Sequence, residues 1–310
     1  MTLTPPNSAS PSAESATPFR SGFVAVAGKP NVGKSTLINR LIGAKVAIVT
    51  HKAQTTRDRV LGILSTPDYQ IVFVDTPGLI EPRNRFNHCL MDEARAGVRD
   101  VDLLLHLVDA RDPEPFSEEV SQALADCPAR KFLVINKIDV VHKPRELDPA
   151  AAAYAETFSI SALQGDGVDN LLRRTVEVLP EGPHYYDEDT LSDRDERFHV
   201  AEIVREKVFL RMAEEIPYGA AVIIDEFQER EHGKTFIRAV VYVEHDSQKG
   251  MIIGKGGRAL KAIGAAARPE IEELIGCPVY LELWVKVRKN WTKKDNDLRF
   301  LGYLKNSKDR

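Results

Sequence analysis

From residue 21 onward, short apolar runs alternate with stretches whose apolar positions recur every three to four residues. FVAVAG (23–28) precedes a helical pattern from Lys34, and VLGIL (60–64) and YQIVFVD (69–75) precede one near 87–98. DLLLHLVDA (102–110), KFLVINK (131–137) and ETFSISA (156–162) follow, with a last helical pattern near 167–178. Such alternation predicts βα units, hence a mostly parallel sheet with helices on both faces. Pro180, Gly182 and Pro183 end the pattern.

A different rhythm then begins. A helical pattern runs from about Arg197 to Glu215, before Pro217, and two β-rich runs, AAVIIDEF (220–227) and KTFIRAVVYVEH (234–245), are joined by a turn-like REHGK. A short apolar MII, the sequence Gly254-Lys255-Gly256-Gly257, a helix to about Ile275, a strand PVYLELWVKVRK and a short helix near 293–302 complete the chain. The order α-β-β-α-α-β is too irregular for a second parallel sheet and predicts an α+β layer. No internal repeat is visible.

The pattern divides the chain into a tail (1–20), a first domain (21–180), a linker (181–197) and a second domain with a basic extension (198–310). Residues 1–20 are rich in Ser, Pro, Ala and Thr without apolar period, too little buried surface to offset ordering entropy. The linker holds seven acids and two arginines and reads as exposed. Apolar runs such as 101–110 are about half the ~20 residues a membrane span needs. With no charged-then-apolar leader, the expectation is a cytoplasmic protein. Cys89, Cys127 and Cys277 lack CxxC or His-spaced partners and read as reduced fillers of apolar sites.

The net charge of −4 hides an asymmetry. Residues 1–200 carry 22 Lys/Arg against 29 Asp/Glu, and residues 201–310 carry 20 against 17. Residues 247–269 hold five bases and no acid, and the last 25 residues hold nine bases against three acids. Each cluster reads as a solvated face or as a contact for a polyanion.

Gly28-Lys29-Pro30-Asn31-Val32-Gly33-Lys34-Ser35-Thr36 fits GxxxxGK[ST] between a predicted strand and helix. Such a turn aims backbone N–H groups at phosphates, the helix N-terminus adds positive potential, and Lys34 supplies a full charge to the β and γ phosphates. Ser35 offers a hydroxyl to Mg²⁺. Asp75-Thr76-Pro77-Gly78 places an acid at the carboxyl end of a strand, where open α/β sheets collect ligands, and Asp75 can hold the magnesium shell. Asn136-Lys137-Ile138-Asp139 decides the base: a carboxylate accepts from guanine's ring N–H and amine, whereas adenine presents a lone pair there. The expected nucleotide is therefore GTP, with GDP as product. Ser161-Ala162-Leu163 reads as a helix cap or as the source of a backbone N–H for the guanine oxygen.

These motifs, with AQTTRDR at 53–59, DTPGL at 75–79, SDRDERFHVAEIVREK at 192–207, IPYGAAV at 216–222 and IIGKGGRALKAIG at 252–264, give the chain a resemblance to the Era family of ribosome-assembly GTPases, related to translation-factor GTPases. The resemblance covers almost the whole chain. It implies an α/β P-loop GTPase domain followed by an α+β KH-type (type II) RNA-binding domain. It puts Gln54 to Arg57 in the first switch segment, with Thr56 the choice and Thr55 the alternative for a second Mg²⁺ oxygen. Lys52, Arg57 and Arg59 read there as functional or as surface charges. Leu79 stands where Ras-like enzymes carry a water-orienting glutamine, so slow intrinsic hydrolysis is expected, with catalysis resting on Lys34, Asn31, Thr56 and Gly78 around Mg²⁺. Asn31 either helps hold a K⁺ ion, as in similar potassium-activated GTPases, or stabilises the loop. Ile80 and the stretch EPRNRFNH depart from the usual second-switch pattern.

In the second domain, Gly254-Lys255-Gly256-Gly257 resembles a KH GXXG loop, which clamps about four single-stranded nucleotides by backbone contact. Arg258 and Lys261 follow it, and Ile252 and Ile253 read as groove lining or as plain core. The implied partner is the 3′ end of small-subunit ribosomal RNA on the small ribosomal subunit, RNA and not DNA, with a nearby RNA helix touched by Arg288, Lys289, Lys293 and Lys294. The alternative is a nucleotide-gated RNA scaffold or chaperone whose turnover is incidental. A monomer is expected. Peripheral association with the inner membrane follows only from the resemblance, since no amphipathic anchor stands out.

Overall fold

A computed structural model describes residues 18–112, 114–116, 118–141, 154–212, 216–229 and 233–304. The tail, apart from 18–20, and the last six residues of the basic extension lie outside them. The first unit runs β1 (Arg20–Ala27), α1 (Lys34–Ile42), β2 (Val60–Ser65), β3 (Tyr69–Asp75), α2 (Arg85–Gly97), β4 (Leu103–Asp109), α3 (Glu118–Ala125), β5 (Arg130–Asn136), β6 (Glu156–Ile160) and α4 (Val168–Val178). The strands form one sheet in the order β2-β3-β1-β4-β5-β6, parallel except for β2 against β3. Val24, Val26, Phe73 and Leu105 point into one apolar layer with Leu37 and Ile38 of α1; Ala25, Val72, Val74 and Leu104 point into another with Met91 and Ala94 of α2. Burial on both faces explains why these strands read as continuous apolar runs. Helix α3, only eight residues long, is absent from the expected pattern.

The stretch 181–197 is exposed, as its charge predicts, yet fastened to the first sheet. Gln70 accepts from the amides of Tyr185 and Tyr186, the Leu191 carbonyl accepts from Ile63 N, and Asp193 accepts from Leu61 N.

The second unit comprises α5 (Glu196–Arg211), β7 (Ala221–Gln228), β8 (Thr235–Val243), α6 (Asp246–Ile253), α7 (Arg258–Ile275), β9 (Val279–Val287) and α8 (Asp295–Phe300). Asp195 caps α5 by accepting from Phe198 N at 2.8 Å. The apolar MII closes helix α6. Strand β8 lies between antiparallel β7 and parallel β9, and alternate residues such as Ile237, Ala239 and Val241 pack under α5 and α7. The two units share an apolar seam in which Phe86, Cys89 and Leu90 of α2 meet Ala221, Trp291 and Leu298. Trp291 donates its indole N–H to the Gly219 carbonyl at 2.9 Å. Among the described residues no helix is long and apolar enough to cross a membrane.

Candidate functional site

The carboxyl ends of β1, β3, β4, β5 and β6 open onto a cleft of about 860 Å³. Pro30, Asn31, Val32, Gly33, Lys34, Ser35 and Thr36 form its floor, Thr56 and Gly78 one side, and Asn136, Lys137, Asp139, Ala162 and Leu163 the far end. Gly28, Asp75, Thr76, Pro77 and Ser161 lie behind this wall. Loop and strand ends are packed so closely that two glycines are obligatory. Gly33 has φ 102°, and a Cβ there would sit 2.3 Å from the Asn136 carboxamide; a Cβ on Gly78 would strike Pro30 at 2.8 Å.

Lys34 is 6% exposed, and its ammonium donates to the Gly28 and Lys29 carbonyls at 3.2 and 3.0 Å. Burial lowers its pKa to about 8 against the opposing pull of Asp75. Asp75 is pushed up to about 6 by burial, while Lys34 and the hydroxyls of Ser35 and Thr56 act the other way. Ser35 donates to Asp75 Oδ2 at 2.8 Å, Thr56 Oγ1 lies 3.0 Å from Ser35 Oγ, and Thr56 donates to the same carboxylate oxygen at 3.3 Å. Asp75 Oδ1 is buried without a partner among the described residues. Two hydroxyls and a carboxylate with a spare buried oxygen are a hard-oxygen set that suits Mg²⁺. Thr55, the alternative, turns its hydroxyl to Thr50 and the Lys52 carbonyl.

At the far end Asn136 joins three loops: its Nδ2 donates to the Val32 carbonyl at 2.7 Å and its Oδ1 accepts from Ala162 N at 2.9 Å. Ser161 N donates to the Asp166 carbonyl, and Leu163 lines the cleft beside Ala162. Arg40 of α1 holds this segment through the Ala162 carbonyl at 2.6 Å. Asn31 donates its carboxamide to the His51 carbonyl at 2.9 Å, a bond that serves the loop. Thr76 is spent on structure, donating to the Val26 carbonyl. Leu79 is 2% exposed and packs with Val74, Met91 and Val98, away from the cleft. The sequence missed Asp109 and Arg111 at the rim, for which an acid ending β4 was the signal, and gave Lys29, though inside the phosphate-loop motif, no role. Lys137 and Arg111 both pair with Asp109, at 2.8 and 2.7 Å.

Arg57 is no surface charge. At 1% exposure it donates to the Ala220 and Tyr218 carbonyls and lies 5.0 Å over the Phe86 ring. Lys52 donates to the Met212 carbonyl, and the Arg59 carbonyl accepts from Arg194 at 2.6 Å.

In the second unit the Gly254–Gly257 turn joins α6 to α7. Lys255, Gly256, Arg258 and Lys261 are exposed together over the first turn of α7, whose N-cap Gly257 brings no side-chain cap. Ile253 is half-buried. Ile252 corrects the groove reading: it is 0% exposed within the core under the sheet and has no surface to offer a ligand. Lys289, Lys293 and Lys294 are exposed, whereas Arg288 is bound to Asp297 at 2.7 Å and stacks 4.0 Å over Phe300.

A family model described as 50S ribosome-binding GTPase matches residues 23–137, and a KH domain model matches residues 215–292. GTPase Era of Geobacter metallireducens is 49% identical over 92% of this chain and 98% of its own, and that of Agrobacterium fabrum is 47% identical over 93% of each. A crystal structure of Era in complex with MgGDPNP and nucleotides 1506–1542 of 16S ribosomal RNA superposes with TM-score 0.87 at 37% identity, covering 93% of this chain and all of that one. An Aquifex aeolicus Era variant bound to GDP·AlF4⁻ gives 0.86 at 37% identity, with the same coverage. On sequence and architecture alike, this chain belongs to the Era family of GTPases.

Proposed function

We propose that the chain binds GTP with Mg²⁺, hydrolyses it to GDP, and through its KH unit binds the 3′ end of small-subunit ribosomal RNA during small-subunit assembly. The observation that carries the enzymatic half is the convergence of Ser35, Thr56 and Asp75 within 3.3 Å beneath the phosphate loop, with Asp139 at the opposite end of one cleft. Ser35, Thr56 and Asp75 would hold the metal, directly or through water, and a Mg²⁺ ion there would supply charge neutralisation for the phosphates. Lys34 adds a full positive charge, Gly28 to Thr36 aim backbone N–H groups at the phosphates, and Gly78, free of a side chain, lets its backbone pack against Pro30 at the edge of the phosphate loop. Water attacks in line, and because Leu79 is buried apolar filling, no side chain at that position orients it; the intrinsic rate is slow. Asp139 pairs with guanine's N–H groups, Lys137 flanks the base, and Leu163 N is the donor to its oxygen. Asn31 retains a carboxamide oxygen through which a K⁺ ion could be held.

For RNA, backbone contact at Gly254 to Gly257, with Lys255, Arg258 and Lys261 on phosphates and Ile253 beside the bases, accounts for the exposed basic turn. Lys289, Lys293 and Lys294 extend the phosphate contact, and Arg288 can join only by leaving Asp297. The division into 21–180, 181–197 and 198–310 is supported by the two separate sheets, although helix α5 of the second unit opens at Glu196, inside the stretch given to the linker. The protein acts as a monomer in the cytoplasm, with any inner-membrane contact peripheral.

The test is fluorescence anisotropy with an oligonucleotide of the 3′ end of small-subunit ribosomal RNA, in GDP, GTP and a non-hydrolysable analogue, alongside single-turnover hydrolysis with and without it. Affinity that depends on nucleotide, and turnover that depends on RNA, are expected. Equal affinity for an unrelated single strand, with turnover unchanged, overturns the RNA assignment.

A further inference from the structure

The segment 45–57, which carries Thr56, is gripped from outside its own domain. On helix α5, Arg205 donates to the Thr55 carbonyl at 2.6 Å, and the neighbouring Glu206 accepts from Val49 N at 3.1 Å and from Lys45 at 2.7 Å. Lys45 also reaches Glu270 of α7 at 2.8 Å. Arg205 is 1% exposed and its guanidinium is further held by Glu202 and lies 5.2 Å over Phe209, so its position is fixed by its own domain.

The chemistry of this contact bears on one residue. The Thr55 carbonyl lies in the planar peptide unit that ends at the Cα of Thr56, so holding that oxygen fixes the plane on one side of Thr56. On the other side Arg57 is anchored to the Ala220 carbonyl at 2.6 Å and the Tyr218 carbonyl at 3.0 Å. Thr56 is thus bracketed by three bonds to the KH-bearing unit, one at Thr55 and two at Arg57, and between them its hydroxyl stands 3.0 Å from Ser35 Oγ. From its own domain the segment is held upstream, at Val46 and Ala47 by Asn39 and at His51 by Asn31, while the Thr55 hydroxyl bonds within the loop.

We propose that Arg205, a residue of the RNA-binding half, is a positioning residue for GTP hydrolysis: by holding the Thr55 carbonyl it presents the Thr56 hydroxyl to the magnesium site. The inference rests on Thr56 as a metal ligand, as proposed above. A cation suits the task because a charge-assisted bond to a carbonyl is roughly twice as strong as a neutral one, and the pairing of Arg205 with Glu202 offsets the cost of burying the charge. It also gives a chain without a water-orienting side chain at Leu79 a dependence on how the second unit is seated, because a contact that shifts α5 releases Thr56.

The experiment uses the full chain and measures steady-state GTP turnover against Mg²⁺ concentration for Thr56→Ala, Arg205→Ala, Arg205→Lys and the Thr56→Ala/Arg205→Ala double variant, with GDP affinity as control. Arg205→Ala is expected to lower turnover by about tenfold, the worth of one charge-assisted bond, and to raise the half-maximal Mg²⁺ concentration. GDP affinity should hold, since it is the γ phosphate and its metal that order this segment. Arg205→Lys, which keeps a charged donor, should recover part of the loss, and the double variant should be no worse than Thr56→Ala alone. A purely structural contact would instead give additive losses. Additive losses, a wild-type Mg²⁺ response in Arg205→Ala, or an equal loss of GDP affinity each overturn the proposal. If Thr56→Ala itself leaves the Mg²⁺ response unchanged, the ligand reading falls with it; if Thr56→Ala alters it and Arg205→Ala does not, only the role of Arg205 falls.

Discussion

Asn136 and Val32, 104 residues apart, are joined by a 2.7 Å hydrogen bond from a 2%-exposed carboxamide to a phosphate-loop carbonyl. Because the same side chain accepts from Ala162 N, the phosphate, base and strand-end loops share one strut. Asn136→Ala would leave a carbonyl and an amide unpaired inside the fold, at roughly 1–3 kcal/mol each. Isothermal titration should show GDP and GTP affinities both falling by about 10- to 100-fold, with the preference for guanine over adenine intact. An effect on GTP alone would mean that the strut serves the switch segments and not the loops.

Base choice is assigned to Asp139, whose side chain lines the far end of the cleft. Replacing it by Asn exchanges an acceptor for a donor, which faces guanine's amine unfavourably but suits the carbonyl of xanthine. Asp139→Asn should weaken GTP by about 100-fold or more and bring xanthosine triphosphate above it in competition binding. Undiminished GTP binding would move base recognition elsewhere.

The glycine spacing of 28–36, the acids that end strands and the GKGG turn were legible because each is local: a short stretch of backbone carries the whole geometry. What escaped the sequence is what long-range packing decides. Arg205 and the Thr55 carbonyl are 150 residues apart, and nothing in VREK marks an arginine that will be buried against another domain. For the same reason the sequence left Arg57 open between a functional residue and a surface charge, and gave no sign of its burial against the second unit. Ile252, beside an exposed glycine loop, turned out to be core because helix α6 rotates it inward, and α3 escaped because two helical turns hold too little period to read.

The glycine loop makes a sharp prediction. Gly256 has φ 62°, and a Cβ added there would meet nothing within 4 Å, so a side chain fits, and Asp is among the residues that tolerate this conformation. Gly256→Asp therefore adds a negative charge with little steric cost. Affinity for the ribosomal RNA oligonucleotide should drop by about 100-fold at low salt while GTP affinity is unchanged. Unaltered RNA affinity would contradict the phosphate-contact role of this turn.

Asn31 separates two chemistries. Its Nδ2 is committed to the His51 carbonyl, so any cation must be held by the carboxamide oxygen. If K⁺ contributes charge to the transition state, turnover in potassium should exceed that in sodium severalfold, and Asn31→Ala should abolish the difference. Equal rates in the two salts leave Asn31 as a brace between the phosphate loop and His51.

His106, in the middle of β4, is 0% exposed, with Nδ1 2.6 Å from the Tyr154 hydroxyl and Nε2 buried without a partner among the described residues. Burial foremost, and then the charge of Lys34, hold its pKa at about 3. In the unfolded chain a histidine titrates near 6.5, so between those values the folded state binds fewer protons. Its contribution to stability is accordingly full above pH ~6.5 and is lost as pH falls toward 3, by up to ~1.4 kcal/mol per pH unit. His106→Phe keeps an aromatic ring near Phe116, now 5.8 Å away, but removes the titrating group and strands the Tyr154 hydroxyl. In urea the variant should unfold about 1 kcal/mol more easily at pH 7.5. At pH 5 wild type alone has lost up to ~2 kcal/mol from this site, so the gap should close or reverse. Parallel pH dependence in the two proteins would mean that the folded sheet accommodates a charged imidazole, which its apolar surroundings argue against.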